Sequence, residues 1–245
     1  MQELFIDRGN TALKWQLCQQ GEVVLTGASA NGVELDQALS KLSEVSLAGV
    51  YVASVAGEDV ECAIRAWAIK HSQPKPVFLK SSSEACGVTN AYAQPERLGV
   101  DRWLAMIAAH HHYSGMLCVV DSGTALTMDF LSASGQHLGG FIVPGAELMR
   151  RSLLQNTQKI HLNSTVQSNQ LGMNTSEAVL FGTEQMLQAF VSQKISDVEL
   201  DHGQSVSLIL TGGHANSLAV GLGADYNEEP DLVFQGLRLA VEGLA

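Results

Sequence analysis

Two stretches of this chain read almost alike: LFIDRGNTALKW (Leu4–Trp15) and CVVDSGTALTMDF (Cys118–Phe130). In each, a short apolar run ends in Asp-x-Gly, small hydroxyl or amide residues follow, and a second run begins. An acid and a glycine straight after a strand force the chain to reverse at once, because glycine enters backbone conformations that other residues resist. A chain that opens both halves this way is confined to few architectures. The simplest is two copies of one strand–turn–strand unit, with a boundary near Tyr113–Gly115.

The segments between the echoes fit that frame. Strands are expected at Leu4–Ile6, Lys14–Cys18, Glu22–Thr26, Gly49–Ser54 and Val77–Leu79. Glu58–His71 has helical spacing, with Val60, Ile64, Trp67 and Ile69 apolar. Ser81–Leu98 reads as a long irregular stretch, and Asp101–Tyr113 as a buried helix. The second half repeats the scheme: strands at Leu117–Val120, Ala125–Phe130, Gly139–Val143 and Ser205–Leu210, with helices at Ala146–Leu154, Thr175–Lys194 and Asp231–Gly243. Gln155–Asn174 is expected to be a polar loop. Strands alternating with helices make an α/β fold.

A net charge of −11, with only 14 basic residues, disfavours a nucleic-acid surface. It leaves room for a small phosphate ligand held by backbone N–H groups, hydroxyls and a bound cation. No apolar stretch is long enough to span a membrane. The four cysteines are scattered, which suits a reduced, cytoplasmic chain without a zinc site.

Gly9 lets the main chain come close to a ligand, while Asn10 and Thr11 add side-chain donors; such a turn can hold phosphate oxygens without net positive charge. Asp7 at its mouth could carry a hydrated magnesium ion. Asp121, Gly123, Thr124 and Thr127 repeat the layout. Either stretch alone could be an ordinary β-turn, but recurrence at equivalent places favours a polyphosphate gripped by two hairpins. LTGGHAN (Leu210–Asn216) joins a strand to a helix, and its Gly212 and Gly213 are candidates for a wall against adenosine. In LGVDRW, Asp101 could be a simple helix cap. With Arg102 beside it and the helix dipole behind it, Asp101 can instead stay ionised as a base for a phosphate acceptor.

Together these motifs resemble the type III pantothenate kinases, within the acetate kinase, sugar kinase, Hsp70 and actin superfamily. DRGNTALKW is similar to the family's first phosphate motif, DSGTALT to the second, TGG to the adenosine motif and GVDRW to the pantothenate motif G-x-D-R. GGFIVPG (Gly139–Gly145) resembles G-G-x-I-x-P-G. The resemblance implies two duplicated ribonuclease H-like (actin-like ATPase) lobes around a central cleft. Residues 1–114 would carry the first phosphate motif and the acceptor site, and residues 115–245 the second phosphate and adenosine motifs.

It further implies an ATP-dependent kinase that phosphorylates pantothenate, the entry to coenzyme A. Asp7, Arg8, Gly9, Asn10, Thr11, Ala12, Leu13 and Lys14 would bind ATP phosphates, with Gly123, Thr124, Gly212 and Gly213 on the other side. Asp7 would hold Mg2+ or a similar divalent cation, and Asp121 a monovalent one, K+ or NH4+. Asp101 would take the hydroxyl proton. Tyr92, Gly99, Val100, Asp101 and Arg102 would line the pantothenate pocket, and Thr175 would close the pocket of the neighbouring subunit in a homodimer.

The run His110–His112 is expected to be a solvated helix end, since consecutive helical residues point apart. No P-loop, HExxH or GxSxG occurs. Two rivals share the fold: a phosphohydrolase with water as acceptor, and an inactive nucleotide-binding regulator of the accessory-factor kind.

Overall fold

The computed structural model describes residues 1–42, 44–156, 171–223 and 225–243. The chain folds as two compact units: Met1–His112 joined by the stretch from Asp231 onward, and Tyr113–Pro230.

The first unit opens with a meander, β1 (Gln2–Arg8), β2 (Ala12–Gln19) and β3 (Glu22–Ala30). A short helix α1 (Leu35–Ala38) and a 3₁₀ turn (Ser40–Leu42) lead to β4 (Leu47–Ser54); helix α2 (Glu58–Lys70) crosses to β5 (Val77–Phe78). Strand order is β3-β2-β1-β4-β5, with β1 antiparallel to β2 and parallel to β4. Period-two alternation puts Leu4, Ile6, Trp15, Leu17, Val50 and Val52 on one face, in a core with Ile64, Trp67 and Ala68 of α2. Each large apolar side chain so buried contributes roughly 1.5–3 kcal/mol. Gly27 faces Trp15 across β2 and β3, and a Cβ there would lie 2.4 Å from the indole. The missing side chain lets Trp15 donate from Nε1 to the Ala38 carbonyl at 3.1 Å.

The expected irregular stretch Ser81–Leu98 contains a small hairpin, β6 (Glu84–Ala85) and β7 (Val88–Thr89), and a 3₁₀ turn, Pro95–Arg97. Cys86 and Gly87 at its tip both have positive φ, 49° and 80°, as a two-residue hairpin turn requires. Helix α3 (Val100–His112) follows and is buried from Arg102 to Ala109.

The second unit repeats the first. Its strands β8 (Met116–Ser122), β9 (Ala125–Leu131), β10 (His137–Pro144), β11 (Val206–Thr211) and β12 (Tyr226–Glu228) lie in the order β10-β9-β8-β11-β12, with the same parallel and antiparallel neighbours. Helices α4 (Ala146–Asn156), α5 (Thr175–His202) and α6 (Ala215–Ala219) complete it. Cys118, Val120, Leu126, Met128 and Phe130 share a core with Leu187 and Val191 of α5 and Leu218 of α6.

Helix α5 runs eight residues past the expected end at Lys194, because nothing in between stops it. Its start is fixed by Asn174, whose side chain accepts from the Glu177 N–H at 3.0 Å, while the Glu177 carboxylate accepts from the Met173 N–H at 2.8 Å. Its end is Gly203, left-handed at φ 63°. Of the expected loop Gln155–Asn174, residues 157–170 lie outside the described residues.

The closing helix α7 (Leu232–Glu242) belongs with the first unit, whereas a division at residue 114 would leave it in the second. It packs against α3 so closely that a Cβ on Gly236 would stand 1.9 Å from the Leu104 carbonyl oxygen. An amphipathic helix shows in sequence that it has an apolar face, but not which partner covers it.

Candidate functional site

Both Asp-x-Gly motifs sit at the carboxyl end of the first strand of their sheets, where an open α/β sheet presents its ligand-facing loops. Asp7 is the penultimate residue of β1 and pairs with Lys14 on β2, so acid and base share one face. Arg8 and Leu13 pair on the opposite face. Leu13 is buried in the core there, and Arg8 donates from Nη1 to the Gly9 carbonyl at 3.2 Å. Of the expected phosphate-binding residues, Leu13 can therefore offer a ligand only its backbone. Asn10, Thr11 and Lys14 are exposed, and the Gly9 N–H closes the turn on the Ala12 carbonyl at 3.0 Å.

The second turn is built alike but is one residue shorter. Asp121 pairs with Thr127, Ser122 with Leu126, and the Gly123 N–H bonds the Ala125 carbonyl at 3.0 Å. Two neighbouring segments press on it. Gly212, at the end of β11, has φ +94°, and a Cβ there would lie 2.3 Å from Asp121 Oδ1. Gly145 donates its N–H to the Thr124 carbonyl at 2.9 Å, and its Cβ would lie 2.3 Å from the Gly123 carbonyl oxygen. The His214 N–H bonds the Ser122 carbonyl at 2.9 Å. Gly213 has open space around it. Gly212, one of the two glycines expected to wall adenosine, thus stands directly beside the second turn, and a recess nearby is lined by Glu147, Gln188, His214 and Ser217.

At the start of α3, Asp101 Oδ1 accepts the Arg102 backbone N–H at 2.8 Å. A Cβ on Gly99 would be 2.6 Å from that same oxygen, so only glycine leaves the carboxylate this position. Arg102 is buried, donates from Nη1 to the Tyr92 hydroxyl at 3.1 Å, and lies over the Tyr92 ring with its guanidinium carbon 5.9 Å from the centroid. Asp101, Arg102 and Tyr92 are thereby one connected group. Val100 is buried and can act only through its backbone. Thr175 is the exposed first residue of α5.

Two residues that hold these groups escaped the sequence reading. Asn90 pins the loop under Tyr92, accepting the Tyr92 N–H at 2.9 Å and donating to the Ser82 and Pro95 carbonyls at 3.1 and 3.3 Å. Its signal was an Asn inside a glycine-poor irregular stretch, where side-chain amides replace ladder bonds. Gly145 had a signal only in its place within GGFIVPG. Among the described residues no three His, Cys, Asp or Glu side chains converge on a possible metal position. A divalent cation carried in on nucleotide phosphates needs only one or two carboxylates.

Two units of identical strand order, each ending its first strand in an Asp-x-Gly hairpin, make a protein of the actin-like ATPase fold. The fold recurs in component A of the (R)-2-hydroxyglutaryl-CoA dehydratase of Acidaminococcus fermentans (TM-score 0.53, 15% identity, 99% of this chain and 97% of that one). It recurs also in a Campylobacter jejuni protein described as a Baf family transcriptional activator (TM-score 0.64, 20% identity, 98% and 97%).

The sequence profile of the type III pantothenate kinases matches residues 3–197. A type III pantothenate kinase of Nitrosococcus oceani is 35% identical over 96% of this chain and 91% of its own length. One from Pseudomonas putida is 37% identical over 97% and 98%. The chain belongs to the type III pantothenate kinase family.

Proposed function

We propose that the chain carries out its family's reaction, transferring the γ-phosphoryl group of ATP to the primary hydroxyl of pantothenate to begin coenzyme A biosynthesis. The observation that carries this reading is the pair of Asp-x-Gly hairpins at equivalent ends of two sheets with one topology. A mere binder has no use for the third acid, Asp101, beside a fixed Arg102.

In this reading Asp7, Gly9, Asn10, Thr11 and Lys14, with the Ala12 and Leu13 backbone, hold the ATP phosphates. Gly123 and Thr124 hold them from the second turn, and Gly212 and Gly213 face the adenosine. A divalent cation, which we take to be Mg2+, would ride on the phosphates at Asp7 and offset their charge. Asp121, pressed against Gly212, is our candidate for a monovalent cation, K+ or NH4+. Phosphoryl transfer has a loose transition state, so the acceptor needs orientation more than a strong base. Asp101 supplies it by accepting the pantothenate hydroxyl proton, while Arg102 and Tyr92 fix the pocket beside it.

We further infer a homodimer in which Thr175 reaches the partner's pocket, and a cytoplasmic setting. No helix among the described residues is long and apolar enough to cross a membrane, and the four thiols are free.

The test is ADP release by the purified chain, with and without pantothenate and with and without K+. Asp101→Asn should lower turnover by about two to four powers of ten, the usual worth of a positioned base, while calorimetric ATP binding persists. Unchanged turnover removes Asp101 from the mechanism. ATP loss that ignores pantothenate would make the chain a phosphohydrolase, and ATP binding without turnover would make it a regulator.

A further inference from the structure

In the first hairpin, three successive carbonyls are held from behind. The Gly9 oxygen accepts from Arg8 Nη1 at 3.2 Å, the Asn10 oxygen from Asn31 Nδ2, and the Thr11 oxygen from the Asn31 backbone N–H at 2.9 Å. Asn31 directly follows β3 and touches the turn through both its side chain and its main chain. Among the described residues no peptide bond is cis. In a trans peptide the C=O and the following N–H point in opposite directions. Tying back the Asn10 and Thr11 oxygens therefore turns the Thr11 and Ala12 N–H groups away from Asn31. Had either peptide flipped, a carbonyl oxygen would face any anion in the turn and repel it.

We propose that Asn31 is a positioning residue for the phosphate grip: it holds the peptides of the first turn with their N–H groups toward the nucleotide, and it never touches the nucleotide itself. This rests on reading the Asp7–Lys14 hairpin as the phosphate site. Asn31 is the part of the device a mutation can reach. In the second turn the matching bonds, from the Gly145 and His214 N–H groups to the Thr124 and Ser122 carbonyls, are main chain to main chain.

The experiment compares the wild type with Asn31→Ala, Asn31→Gln and Asn31→Asp by steady-state kinetics in both substrates, ADP calorimetry and thermal melting. Asn31→Ala loses the side-chain bond only, so KM for MgATP and Kd for ADP should rise about three- to tenfold, the usual worth of one oriented hydrogen bond. KM for pantothenate and the melting temperature should stay put, which a general loosening of the fold would not allow. Asn31→Gln keeps an amide donor and should lie between wild type and Asn31→Ala. Asn31→Asp cannot donate and places a negative charge near the phosphates, so it should be the weakest nucleotide binder of the set, less so as salt rises.

Lys14→Ala is the control that separates the two readings. Raised KM for MgATP in Lys14→Ala but none in Asn31→Ala overturns the positioning role and leaves the hairpin as the phosphate site. No effect in either variant overturns both. Equal rises in KM for MgATP and for pantothenate in Asn31→Ala also overturn the proposal.

Discussion

Gly145 offers the sharpest test of how the second turn is held. Its φ is not in the left-handed region, so alanine fits the backbone and the substitution tests contact alone. The new Cβ would stand 2.3 Å from the Gly123 oxygen, 2.7 Å from the Thr124 oxygen and 3.1 Å from the Thr124 carbonyl carbon, where ordinary contact begins at 3.4 Å. All three obstacles are backbone and cannot rotate aside. The turn and the start of α4 must separate by about 1 Å, a displacement that costs on the order of a hundredfold in rate when it falls on a positioning element. That is about 2.7 kcal/mol of transition-state stabilisation. Overpacking of this kind also destabilises by about 1–3 kcal/mol, which for a chain of this size lowers the melting temperature by roughly 2–12 °C.

The measurement is kcat and both KM values for Gly145→Ala, taken well below its own melting temperature. Gly182→Ala serves as control. Gly182 lies in α5 with no atom near its absent Cβ, so that variant should keep full activity and gain up to about 1 kcal/mol from helix propensity. Turnover of Gly145→Ala within twofold of wild type would refute the claim that this contact places the turn.

Tyr113 donates to Glu229 Oε1 at 2.6 Å, and that carboxylate, more than burial, pushes the phenol up to about 12 from an ordinary value of 10. A raised pKa means that the neutral phenol is the form the fold stabilises. The contribution is complete below pH 10 and lost as pH rises from 10 through about 12. Tyr113→Phe should thus cost about 1 kcal/mol in denaturant unfolding at pH 7 to 9, less if solvent screens the pair, with the gap to wild type closing above pH 10. A gap that widens with pH would contradict the assignment. Cys62 and Cys86 are exposed while Cys18 and Cys118 are buried, and burial pushes the Cys118 thiol well up. A thiol reagent should therefore count two reactive cysteines in the native chain and four after unfolding.

Much of the fold was legible because its signals are local. Alternation at Leu4–Ile6, the apolar spacing of Val60, Ile64 and Trp67, and the echo of Asp7-x-Gly9 in Asp121-x-Gly123 need no knowledge of distant residues. Where the reading stopped short, the deciding signal was weak or distant. Tyr226–Glu228 forms strand β12 where no strand was expected, since three exposed residues carry no usable period. The motif residues of the candidate site were visible from spacing, yet spacing cannot tell a side chain that faces a ligand from one that faces the core. Leu13 and Val100 point inward although both lie within motifs. Asn31 and Gly145 hold the motifs through contacts between segments well apart in sequence, which one sequence does not display, while Asn90 acts within a loop whose irregular path has no period to read.

The place of α7 bears on how the protein comes off the ribosome. The first unit is interrupted: residues up to His112 need the helix at Leu232–Glu242 to cover α3, and all of Tyr113–Pro230 is translated in between. The inner unit can close while synthesis is still under way. The outer one must wait with an apolar helix uncovered, so chaperone demand should peak late in translation, and a premature stop near Asp231 should ruin the part of the chain that was made first.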